Sequence, residues 1–212
     1  MNKLSIAASA ALLLLSSTAV FAETRTLDVG SFKGVEIASG IKADISVGGA
    51  QSVVAEGLNA GDFDSFRYEV RGEVLYVWYD WNIFQIFDFS AHRMSLTISV
   101  PGINSATITS GSNAEIRGVT GDHLKAEVTS GASARIYDAA ASSYSLSATS
   151  GANLTIDGTC VSATAEATTG ASVSAKDLLC ADVKAEATTG ASVKIAASAT
   201  FEGESTTGAG IT

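Results

Sequence analysis

The chain has 212 residues, a formal net charge of −9, 20 glycines and one proline, and 46% of it is hydrophobic while only 17% is charged. The acidic balance argues against nucleic-acid binding, which needs a basic patch to release counterions from phosphate. The abundance of alanine, serine and threonine argues against a helix-rich soluble enzyme, and two histidines leave little material for metal or proton-transfer chemistry.

Residues 1–22 have the pattern of a signal peptide. Lys3 supplies the positive start, Leu4–Leu15 is apolar, and Val20-Phe21-Ala22 places small residues before a cut between Ala22 and Glu23. The apolar run is shorter than the roughly 20 residues a membrane-spanning helix needs. No cysteine follows the cut, so a lipid anchor is not expected. An exported protein of the periplasm or cell surface is expected, with no transmembrane segment in the mature chain. Residues 23–30 form a short lead. Residues 31–212 are expected to be one domain, with an aromatic-rich section (31–100) and a repetitive one (101–212).

The first section reads as short strands: Phe32-x-x-Val35-x-Ile37, Ile41-x-Ala43-x-Ile45-x-Val47 and Val53–Glu56. A polar loop is expected at Asn59–Asp64. Tyr68–Arg71 and Val74–Trp78 then form a hairpin about Gly72 and Glu73. Ten of the 15 aromatic residues lie between Phe63 and Phe89. Bulky antiparallel strands of this kind suit the end of a repeat array, which must differ from its middle to resist edge-to-edge aggregation.

The second section repeats. Thr-(Ser/Thr)-Gly-(Ala/Ser) recurs with its glycines at Gly111, Gly131, Gly151, Gly170, Gly190 and Gly208, in steps of 20, 20, 19, 20 and 18. The flanks alternate with period two, as in Val183-Lys-Ala185-Glu-Ala187 and Ala191-Ser-Val193-Lys-Ile195, which means strand. Glycine at each corner admits φ > 0. The fold expected is all-β, a right-handed parallel β-helix with coils of about 20 residues and a modified antiparallel N-terminal section. Each coil would hold two strands and one corner. Residues one coil apart then sit about one strand spacing apart, which fits a Cys160–Cys180 disulfide.

Ser31–Val47, the Val53–Trp78 stretch, Ile98-x-Val100-Pro101, the Gly102-Ile103-Asn104 triplet and the Ser/Thr-Gly coils together resemble the DUF2807 family, the autotransporter adhesin head domain or head GIN domain. The resemblance spans roughly residues 31–210. It implies a β-helical exported domain with an adhesive role and no established catalytic residues. No C-terminal run of outer-membrane barrel strands follows, so the chain is not expected to translocate itself.

The segment around Trp78, Tyr79, Trp81, Phe84 and Phe87 is the candidate ligand platform, for sugar or protein; the plainer alternative is that its rings close one end of the solenoid. The corner hydroxyls are expected to serve the turn backbone. Asp138, Asp157 and Asp177 recur one coil apart, as solvated turns or a weak cation ladder, and His92 and His123 sit in no motif. No catalytic residue, metal or cofactor is assigned. A non-catalytic binding or adhesin-like surface-interaction domain is expected, with an unidentified protein or glycan as partner. The alternatives are a carbohydrate-active lyase or hydrolase on the same fold, or a self-assembling homo-oligomer of the envelope.

Overall fold

The computed structural model describes residues 22–58, 60–80 and 94–212. Among the described residues, fifteen strands join in one continuous hydrogen-bonded system. In chain order they are β1 (Glu23–Thr26), β2 (Gly34–Ile37), β3 (Lys42–Val47), β4 (Ser52–Gly57), β5 (Phe66–Arg71), β6 (Val74–Tyr79), β7 (Ser95–Val100), β8 (Ser105–Ile108), β9 (Asn113–Arg117), β10 (Thr120–Val128), β11 (Ser133–Ala148), β12 (Asn153–Ala167), β13 (Ser172–Ala187), β14 (Ser192–Ser205) and β15 (Gly210–Ile211). The fold is a parallel β-solenoid.

Period-two alternation decides what lies inside. Ile98, Ile45, Ile116, Ile136 and Ile156 stand on successive rungs of one face, each fully or almost fully buried. The opposite face narrows to alanine: Ala148, Ala167 and Ala187 align one above the other. Each such side chain removes its apolar surface from water at about 25 cal/mol per Å². Small side chains let the two faces approach closely, which accounts for the alanine-rich composition.

The corners have one geometry. In the pairs Ser39–Gly40, Ser110–Gly111, Ser130–Gly131, Ser150–Gly151, Thr169–Gly170, Thr189–Gly190 and Thr207–Gly208, both residues have positive φ. The flanking residues close a hydrogen bond, as Ala191 N–H does to Thr188 O at 3.2 Å. These are type I′ turns. From Gly40 to Gly190, each corner glycine also donates its N–H to the next corner, as Gly170 does to Thr189 O at 3.0 Å. The first corner, Ser39–Gly40, lacks the flanking threonine and so escaped the repeat motif. Where the five later corners have an alanine after the glycine, the Ser110–Gly111 corner has the buried Ser112, whose hydroxyl accepts the Gly40 N–H at 3.1 Å.

The hydroxyls were expected to serve the turn backbone. The Ser112 hydroxyl does so, whereas hydroxyls that precede the glycines hydrogen-bond side chain to side chain, such as Thr129 Oγ1 to Thr149 Oγ1 at 2.8 Å. The serine or threonine in the left-handed region is strained, because its Cβ crowds the carbonyl, whereas asparagine tolerates that region. Thr169 is exposed with φ 52°. Thr169→Asn should therefore raise unfolding stability, by on the order of 1 kcal/mol, in a denaturant titration.

The coil was expected to hold two strands and one corner, but it has a further side. β11 to β14 run 14–16 residues around a second bend, with register shifts there and positive φ at Asp138 and Gly158. The expected disulfide lies on this side: Cys160 and Cys180 are direct cross-rung partners and are bonded, with Cα atoms 4.5 Å apart.

The N-terminal section is threaded out of order. β2 lies between β6 and β8, and β3 between β7 and β9. The β2–β3 coil is thus sandwiched by strands that come later in the chain. Antiparallel β5 and β4 flank it, with β1 outermost. The expected Asn59–Asp64 loop contains a 3₁₀ turn, Ala60–Phe63, that buries Asp62 and Phe63.

Candidate functional site

The expected aromatic platform is divided by its own strand. On β6, Tyr79 faces inward and is buried, while Trp78 faces outward and is half-buried. Tyr79 meets Phe66 edge-on at 6.2 Å; Phe66 in turn packs on Phe63 and Tyr68, and the Arg25 guanidinium lies 3.9 Å from the Phe63 ring centre. These rings close the N-terminal end of the core. Burial, with Asp62 adding repulsion, pushes the Tyr79 hydroxyl up to about 12, as expected of a group whose ionised form is desolvated. Trp78 stands beside Tyr76, over which Arg71 lies at 5.2 Å. Trp81, Phe84, Phe87 and His92 lie outside the described residues.

The aspartates do not converge as ligands. The Asp157 carboxylate accepts the backbone N–H of Asp138 at 2.9 Å, and Asp177 pairs with Lys176. Among the described residues no group of three His, Cys, Asp or Glu side chains comes together to hold a metal. No helix among them is long and apolar enough to cross a membrane.

A different place emerges from the threading of the coils. The segments 31–33, 101–104 and 120–123 converge, together with Gln51 and Glu73, on a cleft of about 670 Å³, within the range of ligand sites. A run of backbone hydrogen bonds builds its back wall. Lys33 N–H donates to Glu73 O at 2.8 Å, Asn104 N–H to Lys33 O at 2.8 Å, and Lys125 N–H to Asn104 O at 2.9 Å. Phe32 and Ile103 are buried in the floor. Gln51 fixes the entry loop: its Oε1 accepts the Phe32 N–H at 3.3 Å and its Nε2 donates to Gly30 O at 3.1 Å.

The rim is polar. Lys33 and Glu73 form an exposed ion pair at 3.1 Å, which contributes little to stability. Asn104, Thr120, Asp122 and His123 are exposed around the opening. His123 Nδ1 lies 2.9 Å from Ser143 Oγ, which donates to Asp122 O at 3.0 Å, so the ring is held by the neighbouring coil. Among the described residues, no carboxylate is hydrogen-bonded to this histidine. The arrangement is an apolar floor with a polar rim of donors and acceptors, a make-up shared with ligand pockets.

Sequence reasoning noted His123 without a role and missed Phe32, Thr120 and Asp122 as a group. The Gly102-Ile103-Asn104 triplet after Pro101 was the one local signal pointing there.

No curated protein is significantly similar to the chain. Several solved structures share its fold, three of which follow. One is titled a putative adhesin from Bacteroides fragilis NCTC 9343, with TM-score 0.74 and 16% identity, covering 91% of this chain and 96% of that one. Another is a putative adhesin from Parabacteroides merdae ATCC 43184, with TM-score 0.63 and 10% identity, covering 90% and 95%. The third is a putative lipid binding protein from Parabacteroides distasonis ATCC 8503, with TM-score 0.62 and 12% identity, covering 90% and 92%. Residues 31–212 match the family described as "Putative auto-transporter adhesin, head GIN domain". The chain belongs to that family, DUF2807.

Proposed function

We propose that this chain is an exported, non-catalytic recognition domain whose solenoid presents the cleft at Phe32, Ile103 and Asp122 to a ligand. The observation that carries this reading is the cleft itself, an apolar floor with a polar rim, bounded by segments 31–33 and 101–104, whose backbones are hydrogen-bonded to each other, and by the edge of residues 120–123. The names of the structural neighbours, adhesins and a lipid-binding protein, speak for binding over turnover. The Cys160–Cys180 bond and the adhesin family accord with an envelope or extracellular location, to which residues 1–22 would direct the chain.

A second reading rests on the outward, half-buried Trp78 and Tyr76 beside Arg71, an aromatic–arginine patch of the kind found at interaction surfaces. One experiment separates the two. The purified mature chain is applied to candidate surfaces, namely the producing cell's envelope, mucin and extracellular matrix, and retention is compared among variants. Asn104→Trp and Asp122→Lys change exposed rim positions and should leave the thermal midpoint unchanged, while cutting retention at least about tenfold, equivalent to about 1.4 kcal/mol. Retention that survives both and disappears with Trp78→Ala would move the site to the aromatic face.

A further inference from the structure

We infer that the cleft takes an extended peptide, added as a strand to the free edge of β10 and carrying a lysine or arginine toward Asp122. This rests on the cleft being the recognition site. β10 pairs with β11 along Thr120–Val128, but with β8 only over Lys125–Val128. Thr120–His123 therefore has a strand on one side and the cleft on the other. The cause lies in the chain just before β8. Pro101 has no N–H to give a ladder, and Ile103 turns into the core, so residues 101–104 leave the position a strand would occupy. The coils that begin with β10 carry the extra side; the coil before it does not.

An open ladder is a row of backbone donors and acceptors, and the complement that matches it along its length is another backbone. Four residues of edge extend about 13 Å, and an added strand would lie about 4.8 Å away, over the floor of Phe32, Pro101 and Ile103. Charge selects within that class. Lys33 is paired with Glu73, whereas Asp122 is exposed and has no ion-pair partner among the described residues. On a chain of net charge −9, that carboxylate favours a cationic peptide and disfavours a second copy of the chain. A glycan would satisfy the rim but leave the edge of β10 unmatched.

The test is a library of random decapeptides panned on the mature chain, with a glycan array in parallel. The enriched peptide is then titrated by fluorescence polarisation. The expected peptides carry Lys or Arg flanked by apolar residues. Methylating alternate backbone nitrogens on one edge should weaken binding at least tenfold, and so should Asp122→Lys at unchanged thermal midpoint. Affinity indifferent to both changes would overturn the proposal, because neither the ladder nor the carboxylate would be in use. A positive glycan array with an empty peptide library would also overturn it. If surface retention still depends on Asn104 and Asp122 in that case, the cleft stands as the recognition site and only the ligand class fails. If retention ignores both residues, the recognition reading fails with it.

Discussion

Gly158→Ala is expected to destabilise the chain by at least about 4 kcal/mol, the range reserved for a named structural fault. Gly158 has φ +134°, and a Cβ there would lie 1.9 Å from the Ala139 carbonyl oxygen and 2.8 Å from its nitrogen. Those are backbone atoms of the neighbouring rung, so no side-chain rotation relieves the clash; the coils must part. Gly190→Ala is the control. Gly190 has φ +70° with nothing within 4 Å of its added Cβ, so only the left-handed strain of about 1–2 kcal/mol should appear. Denaturant titration of both variants checks the contrast. Equal losses would mean that the second bend does not bring the rungs together at Gly158.

Loss of the Cys160–Cys180 bond is the next largest effect. The bond closes a separation of 20 residues, for which restriction of the unfolded chain predicts about 3 kcal/mol. For a chain of this size that is about 10 °C in thermal midpoint. Replacing both cysteines with serine should show this loss, and adding reductant to the native chain should match it. In a solenoid each coil contacts mainly its neighbours, so the loss should concentrate in the coils of β12 to β14. A double variant as stable as the native chain would contradict the entropic account.

The disulfide was legible in the sequence because a constant period turns sequence separation into spatial register. Cys160 and Cys180 follow their corner glycines by nine and ten residues, and the structure makes them direct partners. Corners with threonine before a Ser/Thr-Gly pair were legible for the same reason. Ser39–Gly40 was not, since Ala38 and Ile41 replace the flanking residues of the motif while the backbone geometry alone persists. The split between Trp78 and Tyr79 was available and overlooked: adjacent residues on a strand point to opposite faces. The cleft was beyond local pattern. Its walls come from positions near 31, 51, 73, 102 and 121, gathered only because β2 and β3 slot between strands that come later in the chain. Such non-local threading leaves no period to detect. The second bend was hidden similarly, because different residues take the positive φ there, Asp138 on one rung and Gly158, the partner of Ala139, on the next.

Amide hydrogen exchange of residues 23–212, free and bound to the surface that retains them, tests the proposed recognition site most directly. The account predicts slowed exchange at residues 31–33, 101–104 and 120–123, with the β5–β6 hairpin unchanged. Slowing confined to β5, β6 and Trp78, with the three cleft segments exchanging as in the free chain, would contradict it.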